Sequence, residues 1–270
     1  MPEKPEVMCV SDSLRKKILK RRITGVRVYW NNIIASSDTH TFINQIVGEE
    51  IRDITTRGKF IVIKLINYAL IVHLRMEGKF IFRKVGDKIE KHQHVEIILD
   101  DQISFRYMDV RKFGKMYLIP LSDAYNTFPL NNVGPDFYDD SFTGEYLYNK
   151  IRNKKIPIKS ALLDQSIIAG LGNIYVDEVL YMSKIDPRRS ASSIRMDEAN
   201  NIIKYSKEVL ALAYKLGGST IRTFTSSEGV HGSFQDMLLI HGRERTLDTL
   251  EEVMKIKIGG RGTYYTSSQK

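Results

Sequence analysis

Short runs of β-branched and apolar residues, separated by turn residues, fill much of the first 130 positions and restrict the fold more than any other feature. Runs of these residue types are typical of strands, and small polar residues and glycines between them predict turns, as at Asn67, Gly78 and Gly86. The clearest predicted strands are 60–65, 69–74, 95–99 and 116–119. This part of the chain is therefore expected to form a β-sandwich flanked by helices.

Helical periodicity accompanies and follows these strands. An amphipathic helix is predicted at residues 6–20, and a second one from Asp38, an N-cap candidate, to Gly48. From about Asn131 the chain becomes largely helical, and its longest apolar stripe ends at Gly217. The C-terminal segment predicts a small β-hairpin, which needs a larger partner to pack against. The predicted fold class is α+β.

Composition limits the classes of function. The chain carries 41 Lys and Arg against 32 Asp and Glu, a formal net charge of +9, which favours a polyanion such as nucleic acid, although ribosomal or anionic-membrane partners would fit too. No apolar run is long enough to cross a bilayer and no apolar signal core is present, so a cytoplasmic location is expected. The single cysteine, Cys9, excludes an internal disulfide framework and a multi-cysteine zinc site, and its apolar neighbours predict a buried thiol.

The first seven residues, Met1 to Val7, contain a possible nucleophile. Removal of Met1 would leave Pro2 with a free secondary amine beside Glu3. An α-amino group has a pKa near ~8, so part of it is neutral at physiological pH and can attack a sugar carbon to form an iminium. Taken alone, the segment fits an ordinary polar terminus better.

Loops in the first half of the chain offer candidate contacts to phosphate or bases. Lys59 lies on a glycine turn at the start of a strand, where it could bind phosphate, although a solvated turn lysine is commoner. The loops 73–78 and 109–114 carry large side chains of the kind that fill the gap left by an everted nucleotide. Each loop is also compatible with ordinary packing.

The second half adds three candidates. Asn173 opens a helix after a glycine-rich turn, where it could bind phosphate or serve as a plain N-cap. The small polar run 217–229 is typical of a loop that closes over a ligand, although a connector has similar composition. Arg261 stands at the tip of the predicted hairpin, a position suited to phosphate or groove contact.

Together these segments resemble the formamidopyrimidine-DNA glycosylase and endonuclease VIII superfamily. The resemblance runs from Pro2 nearly to the end, and its most specific parts are Pro2-Glu3-x-Pro5-Glu6-Val7, residues 162–173 and Gly260-Arg261-Gly262-Thr263. It implies a catalytic β-sandwich domain at 1–130, a helix–two-turns–helix DNA-binding domain with a lesion-capping loop at 131–235, and a finger hairpin at 236–270. It further implies a monomer in the bacterial cytosol or nucleoid that binds double-stranded DNA containing oxidised bases or abasic sites, and no membrane.

The resemblance also implies residue roles. Pro2 is the nucleophile at C1′, Glu3 the general acid and base, and Glu6 supports that network, while Lys59 and Arg261 complete the catalytic set as phosphate contacts. The implied DNA-binding residues are His73, His92, Met76, Arg111, Phe113, Asn173, Lys159 and Arg243. Among them, Met76, Arg111 and Phe113 fill the void and face the orphaned base. The implied lesion-binding loop consists of Glu77, Ser219, Thr220, Ile221, Arg222 and Thr223.

The implied activity is base excision repair. A bifunctional glycosylase and lyase would remove 8-oxoguanine and formamidopyrimidines through an iminium on Pro2, followed by β,δ-elimination. Two alternatives stay open: an endonuclease VIII-like glycosylase for oxidised pyrimidines, and a non-catalytic binder of damaged DNA. Met76, the segment 111–114 and the long capping loop favour the oxidised-purine branch, whereas Lys4 matches the usual residue of neither branch.

The finger departs from the family pattern. Bacterial members usually carry four zinc-binding cysteines there, and none of the residues at roughly those positions in this chain is a thiolate. These residues are Asp248, Glu251, Thr266 and Gln269. We therefore expect no zinc and no other cofactor. The residues expected to hold this zincless finger by packing are Val253, Ile256, Ile258 and Tyr265.

Overall fold

A computed structural model describes residues 1–219 and 232–270. The chain divides into two compact units. The first contains Met1–Pro2, Glu6–Asn131, Ser219 and Gly232, and the second contains Glu3–Pro5, Asn132–Gly218 and Ser233–Lys270. Each unit has a hydrophobic core of its own.

Two antiparallel four-stranded sheets form the first unit. One sheet has the order β1 (Ile23–Val28), β6 (Gln93–Leu99), β7 (Ile103–Met108), β5 (Lys79–Lys84), and the other has the order β2 (Asp53–Arg57), β3 (Phe60–Lys64), β4 (Tyr68–His73), β8 (Lys115–Pro120). Apolar side chains from both sheets share one core with the apolar face of helix α1 (Lys4–Ile18). The predicted β-sandwich with flanking helices is confirmed.

The four strands predicted from sequence are β3, β4, β6 and β8, each with its ends moved by no more than two residues. The pattern does not single out the other four: β1 contains a glycine, β2 and β5 contain two or more charged side chains, and Arg106 interrupts the apolar residues of β7. In β7 the charged residue is buried: the Arg106 guanidinium lies 3.0 Å from the Glu96 carboxylate on β6. Pairing with a neighbour, rather than local propensity, defines these strands.

The helices of the first unit begin near the predicted positions. Helix α1 starts at Lys4, two residues before the expected start, and α2 covers Thr39–Ile46. Asp38 caps α2 as expected, since its Oδ1 accepts a hydrogen bond from the backbone N–H of Thr41 at 2.9 Å. The expectation of a buried thiol is only partly met: Cys9 is half-buried, and this burial raises its pKa to about 12.

Two loops cross between the sheets at the same end of the sandwich. In one sheet β4 pairs with β8, with His73 opposite Lys115. In the other sheet β5 pairs with β7, with Lys79 opposite Met108. The loop 74–78, from β4 to β5, therefore runs beside the loop 109–114, from β7 to β8. These are the two loops in which the sequence predicts void-filling side chains.

The second unit is helical and ends in a hairpin. Its helices are α3 (Gly144–Ile151), α4 (Ile158–Leu163), α5 (Asn173–Met182) and α6 (Met196–Lys215), and its hairpin pairs β9 (Met254–Ile258) with β10 (Arg261–Tyr265). The predicted helix, turn and helix around Asn173 and the predicted hairpin are confirmed. Gly259 and Gly260 form the hairpin turn with φ of 56° and 76°, a left-handed conformation that favours glycine at both positions. Within the described ranges no helix has both the length and the apolar character needed to cross a membrane.

Candidate active site

The turn before α5 holds the carboxylate of Glu3. Glu3 Oε1 accepts a hydrogen bond from the backbone N–H of Ile174 at 3.0 Å, in the first turn of α5, where N–H groups lack helical partners and the helix dipole favours an anion. Gly172 permits this approach, because a Cβ there would overlap the Glu3 carboxyl group. Glu3 is 3% exposed, so the protein rather than solvent fixes its carboxylate.

Lys4 forms a buried ion pair next to Glu3. Its Nζ lies 3.1 Å from Asp136 Oδ1, and both side chains are fully buried. Lys4 Nζ also donates to Tyr138 Oη at 3.1 Å, and Tyr138 Oη donates to Asp136 Oδ2 at 3.1 Å. The backbone N–H of Lys4 donates to the carbonyl of Gly170 at 3.1 Å. These contacts fix the start of α1 and give Lys4 a structural role that the sequence does not reveal.

Glu6 holds the beginning of the predicted lesion-binding loop. Its Oε1 accepts hydrogen bonds from the backbone N–H of Ser219 at 2.8 Å and from Ser219 Oγ at 3.2 Å. Both residues are buried. The predicted loop residues Thr220, Ile221, Arg222 and Thr223 lie outside the described residues.

Lys59 and His73 lie together in the first unit. Both are buried, and the His73 ring packs edge-on against Phe60 with ring centroids 4.7 Å apart. Burial, together with the nearby charges of Arg75 and Lys59, lowers the pKa of His73 to about 3. His73 Nδ1 accepts a hydrogen bond from the backbone N–H of Arg75 at 2.9 Å. The neutral ring therefore carries its proton on Nε2, which can donate to an anionic oxygen.

The side chains of Lys159 and Asn173 hold the hairpin tip by hydrogen bonds to the backbone of Gly262. Lys159 Nζ lies 2.7 Å from Asp177 Oδ1 and donates to the Gly262 carbonyl at 3.0 Å. Asn173 Nδ2 donates to the same carbonyl at 3.0 Å. Burial lowers the pKa of Lys159, while Asp177 and Glu3 raise it and Arg261 lowers it. Arg261, directly before Gly262, is exposed.

Lys159 and Asn173, for which the sequence predicts DNA contacts, therefore direct their side-chain nitrogens at groups of the protein itself. Lys159 is fully buried and ion-paired, an arrangement that suits a residue that positions Arg261 better than one that touches DNA. The amide nitrogen of Asn173 is engaged by Gly262, whereas its Oδ1 is buried without a hydrogen-bond partner among the described residues. The charges of Glu3, Lys159 and Arg261 are close enough to interact, so these predicted residues do assemble in the second unit.

The loop 109–114 presents its large side chains to solvent. Arg111 and Phe113 are exposed, and the Arg111 guanidinium lies 4.7 Å from the centre of the Phe113 ring. Asp109 orders the loop by accepting hydrogen bonds from the backbone N–H groups of Arg111 at 3.0 Å and Gly114 at 2.8 Å. On the neighbouring loop Met76 is half-buried.

The remaining predicted residues occupy less distinctive positions. Glu77 is half-buried beside Met76. His92 is half-buried, and its carbonyl accepts a hydrogen bond from the backbone N–H of Asp109 at 3.1 Å. Arg243 donates to the carbonyls of Asp236, at 3.0 Å, and Leu238. Pro2 is buried, with Met1 attached to its nitrogen.

The β-sandwich and the helical unit match domain models of one class of DNA glycosylases. Residues 1–116 match the family model of the formamidopyrimidine-DNA glycosylase N-terminal domain, and residues 133–225 match that of the formamidopyrimidine-DNA glycosylase H2TH domain. The chain belongs to the formamidopyrimidine-DNA glycosylase family.

Relatives match along their whole length. A formamidopyrimidine-DNA glycosylase of Bacillus cereus is 41% identical over 270 residues, which span 98% of this chain and 97% of the relative. A Lactococcus lactis FPG variant, in complex with a Fapy-dG containing DNA, superposes with a TM-score of 0.93 at 33% identity and covers 100% of both chains. MutM in complex with carbocyclic 8-oxo-G containing DNA superposes with a TM-score of 0.92 at 33% identity, also over 100% of both chains.

Loss of the Lys4 charge is expected to destabilise the fold. Lys4→Met leaves the Asp136 carboxylate buried without its cation, which costs about 3–5 kcal/mol. The double variant Lys4→Leu/Asp136→Leu removes both charges and should recover most of that loss, since the Tyr138 hydroxyl, on a half-exposed residue, can turn to water. Urea unfolding at pH 7 measures these differences.

The matched control for this cycle is Lys16→Met, an exposed lysine on the same helix. A surface lysine contributes little, so this variant should unfold within about 0.5 kcal/mol of wild type. Equal costs for the Lys4 and Lys16 variants would contradict a stabilising role for the buried pair.

His73 is expected to make the fold sensitive to mild acid. The unfolded chain binds a proton at His73 below its ordinary pKa of about 6.5, whereas the folded chain does so only near pH 3. Stability therefore falls as the pH drops from about 6.5 toward 3, by up to about 1.4 kcal/mol per pH unit from this residue. His73→Asn should flatten the dependence of the unfolding free energy on pH in that window, and His40→Asn, at an exposed histidine, should leave it unchanged.

Proposed function

We propose that this protein is a DNA glycosylase and abasic-site lyase that removes oxidised purines from duplex DNA in base excision repair. The observation that carries the proposal is the Glu3 carboxylate, buried on the N-terminus of α5 and covalently next to Pro2. Membership of the formamidopyrimidine-DNA glycosylase family and the Fapy-dG and 8-oxo-G DNA in complex with its structural relatives support the purine branch. The protein acts as a monomer in the bacterial cytosol or nucleoid, where its substrate lies.

Pro2 supplies the nucleophile once Met1 is removed, since an amide nitrogen has no available lone pair. The free amine attacks C1′ of the damaged nucleotide, the bond from C1′ to the base breaks, and the base leaves with a proton supplied by Glu3. The attacking amine loses its proton, its lone pair then breaks the C1′–O4′ bond, and O4′ takes a proton from Glu3, so that the sugar ring opens to an iminium. This iminium accepts electrons when a C2′ proton is removed, which expels the 3′-phosphate. A second elimination expels the 5′-phosphate, and water then releases the sugar fragment from Pro2.

Cationic and hydrogen-bonding side chains hold the phosphates beside the lesion. Lys59 and Arg261 supply cations, and the Nε2–H of neutral His73 supplies a hydrogen-bond donor to a phosphate oxygen. Asn173 and Lys159 position Arg261 by donating hydrogen bonds to the carbonyl of the next residue, Gly262. Met76, Arg111 and Phe113 fill the space vacated by the everted nucleotide.

The finger contains no zinc in this proposal. The residues at the usual ligand positions bond to the protein instead: Glu251 accepts hydrogen bonds from Ser268 N–H at 3.0 Å and Ser268 Oγ at 2.8 Å. Gln269 accepts from Thr266 N–H at 2.8 Å and donates to the Ile185 carbonyl at 2.8 Å. In the described part of the chain no group of three or more His, Cys, Asp or Glu residues could hold a metal ion. A set of two carboxylates, one hydroxyl and one amide, with no thiolate or imidazole, does not fit a structural zinc site, whose four ligands are cysteine thiolates and histidine nitrogens.

Apolar packing contributes less to the finger than the sequence suggests. Ile258 and Tyr265 are buried, as expected, whereas Val253 and Ile256 are only half-buried. Hydrogen bonds across the base of the hairpin supply the remaining cross-links, because a two-stranded hairpin this short does not hold together alone.

Trapping of the covalent intermediate tests the activity. Borohydride should reduce the iminium to a stable protein–DNA adduct with an 8-oxoguanine duplex, when intact mass confirms that Met1 is absent. Pro2→Gly should lose most strand cleavage and still bind an abasic-site analogue. Protein that retains Met1 is the matched control and should form no adduct.

Two results would contradict the proposal. Absence of an adduct with any damaged duplex, using protein that starts at Pro2, would leave a non-catalytic DNA binder. Faster excision of thymine glycol than of 8-oxoguanine, measured side by side, would assign the chain to oxidised pyrimidines.

Metal analysis and one substitution test the finger. Purified protein should contain far less than stoichiometric zinc, and chelators should leave cleavage unchanged. Glu251→Ala removes the acceptor for Ser267 and Ser268, so it should weaken binding to an abasic-analogue duplex without rescue by added zinc, whereas Glu252→Ala, at an exposed neighbour, should bind as wild type. Stoichiometric zinc would refute the zinc-free finger.

A further inference from the structure

Tyr107 lies where the two crossing loops, 74–78 and 109–114, meet the sandwich. It is the penultimate residue of β7 and is 1% exposed. Its ring packs edge-on against Phe80 of β5, with centroids 5.4 Å apart, and Phe80 is its partner across the two strands. The hydroxyl group therefore points from the end of β7 toward the loop that enters β5 and the loop that leaves β7.

Both loops place a glycine against this hydroxyl. A Cβ on Gly78 or on Gly114 would overlap the Tyr107 oxygen, and on Gly114 it would also lie 2.6 Å from the ring carbon that bears the hydroxyl. Real side chains essentially never approach this closely, so each loop contacts the phenol through bare backbone. Gly78 ends the first loop and Gly114 ends the second, and one phenol group separates them.

Each loop is ordered around that contact. In the first loop the Leu74 carbonyl accepts a hydrogen bond from the backbone N–H of Gly78 at 3.0 Å and lies 3.5 Å from the Tyr107 oxygen. In the second loop Asp109 accepts from Gly114 at 2.8 Å. Burial raises the pKa of the phenol, with a further contribution from Asp109, so the hydroxyl keeps its proton and remains a donor.

We propose that Tyr107 is a positioning residue that couples the two loops, so that Met76 on one and Arg111 and Phe113 on the other enter the duplex as one preformed wedge. This inference rests on the proposed function, which assigns those three side chains to the void. A wedge with fixed spacing loses less conformational entropy on insertion than two independent loops. Tyr107 thereby sets both the ease of nucleotide eversion and the fit to the base left behind.

Ordinary core packing by Tyr107 makes a different prediction. A residue that only fills space would change the free energy of unfolding and lower all activities in parallel. Loss of a positioning residue would slow the step in which the wedge enters the duplex and would lower the selectivity for the opposite base. The later strand cleavage would stay nearly unchanged. The two roles are therefore separable by kinetics.

The test is Tyr107→Phe, which removes only the hydroxyl. With 2-aminopurine beside an 8-oxoguanine, stopped-flow fluorescence under single-turnover conditions should show eversion slowed about fivefold to tenfold, the scale of one net hydrogen bond. The ratio of excision opposite cytosine to excision opposite adenine should fall, while strand cleavage at a preformed abasic site changes less than twofold. Tyr68→Phe is the matched control: it lies on β4, packs against the same core at the opposite strand end from His73, and should match wild type in all three assays.

A double-mutant cycle with Met76→Ala adds a second readout. If Tyr107 couples the loops, truncation of Met76 should slow eversion less in the Tyr107→Phe background than in wild type, whereas additive effects would contradict coupling. Wild-type eversion and opposite-base ratio in Tyr107→Phe would overturn the inference, as would parallel losses in eversion, abasic-site cleavage and stability. Failure of the proposed function would be recognised separately from failure of this inference, because wild-type protein would then form no borohydride-trapped adduct.

Discussion

The contact between the Glu3 carboxylate and the first turn of α5 is the constraint on which the candidate site depends. A carboxylate that is 3% exposed needs compensation for lost hydration, and the backbone N–H of Ile174 with the dipole of α5 supplies it. Gly172 is required because any side chain there would fill the space of the carboxylate. The Glu3 carboxylate is thus held by a helix that begins 170 residues later in the sequence. The same helix also carries Asn173 and Asp177, which organise the hairpin tip.

Buried charges do much of the positioning, and each is compensated locally. Asp177 neutralises Lys159 and also lies 2.7 Å from His241 Nδ1. One carboxylate of α5 therefore connects α4 to the segment around His241 and, through Lys159 Nζ and the Gly262 carbonyl, to β10. Lys4 and Asp136 form a second such pair at the start of α1. Interactions of this kind contribute little net stability over apolar packing, but removal of one partner is costly. They therefore specify one arrangement of the reactive residues more than they add to the total stability.

The sequence predicts the fold class, four of the strands, the helix after Asn173 and the C-terminal hairpin, because periodicity and turn residues are local signals. It does not predict β5, whose charged residues are exposed, or β7, whose Arg106 is buried against Glu96. It also gives no role to Asp136, and it assigns DNA contact to Lys159, which is buried. Local patterns identify which residue types are present, whereas the partner of each buried charge, in a neighbouring strand or far along the chain, becomes apparent only in the folded chain.

Because Lys4 pairs with Asp136, the first residues of the chain cannot be exchanged independently of the rest of it. Here the fourth residue is matched to a carboxylate far along the chain, at full burial on both sides. A graft of first residues that lack a lysine at position 4 would leave Asp136 buried without its cation, so changes at the two positions are expected to occur together among natural variants.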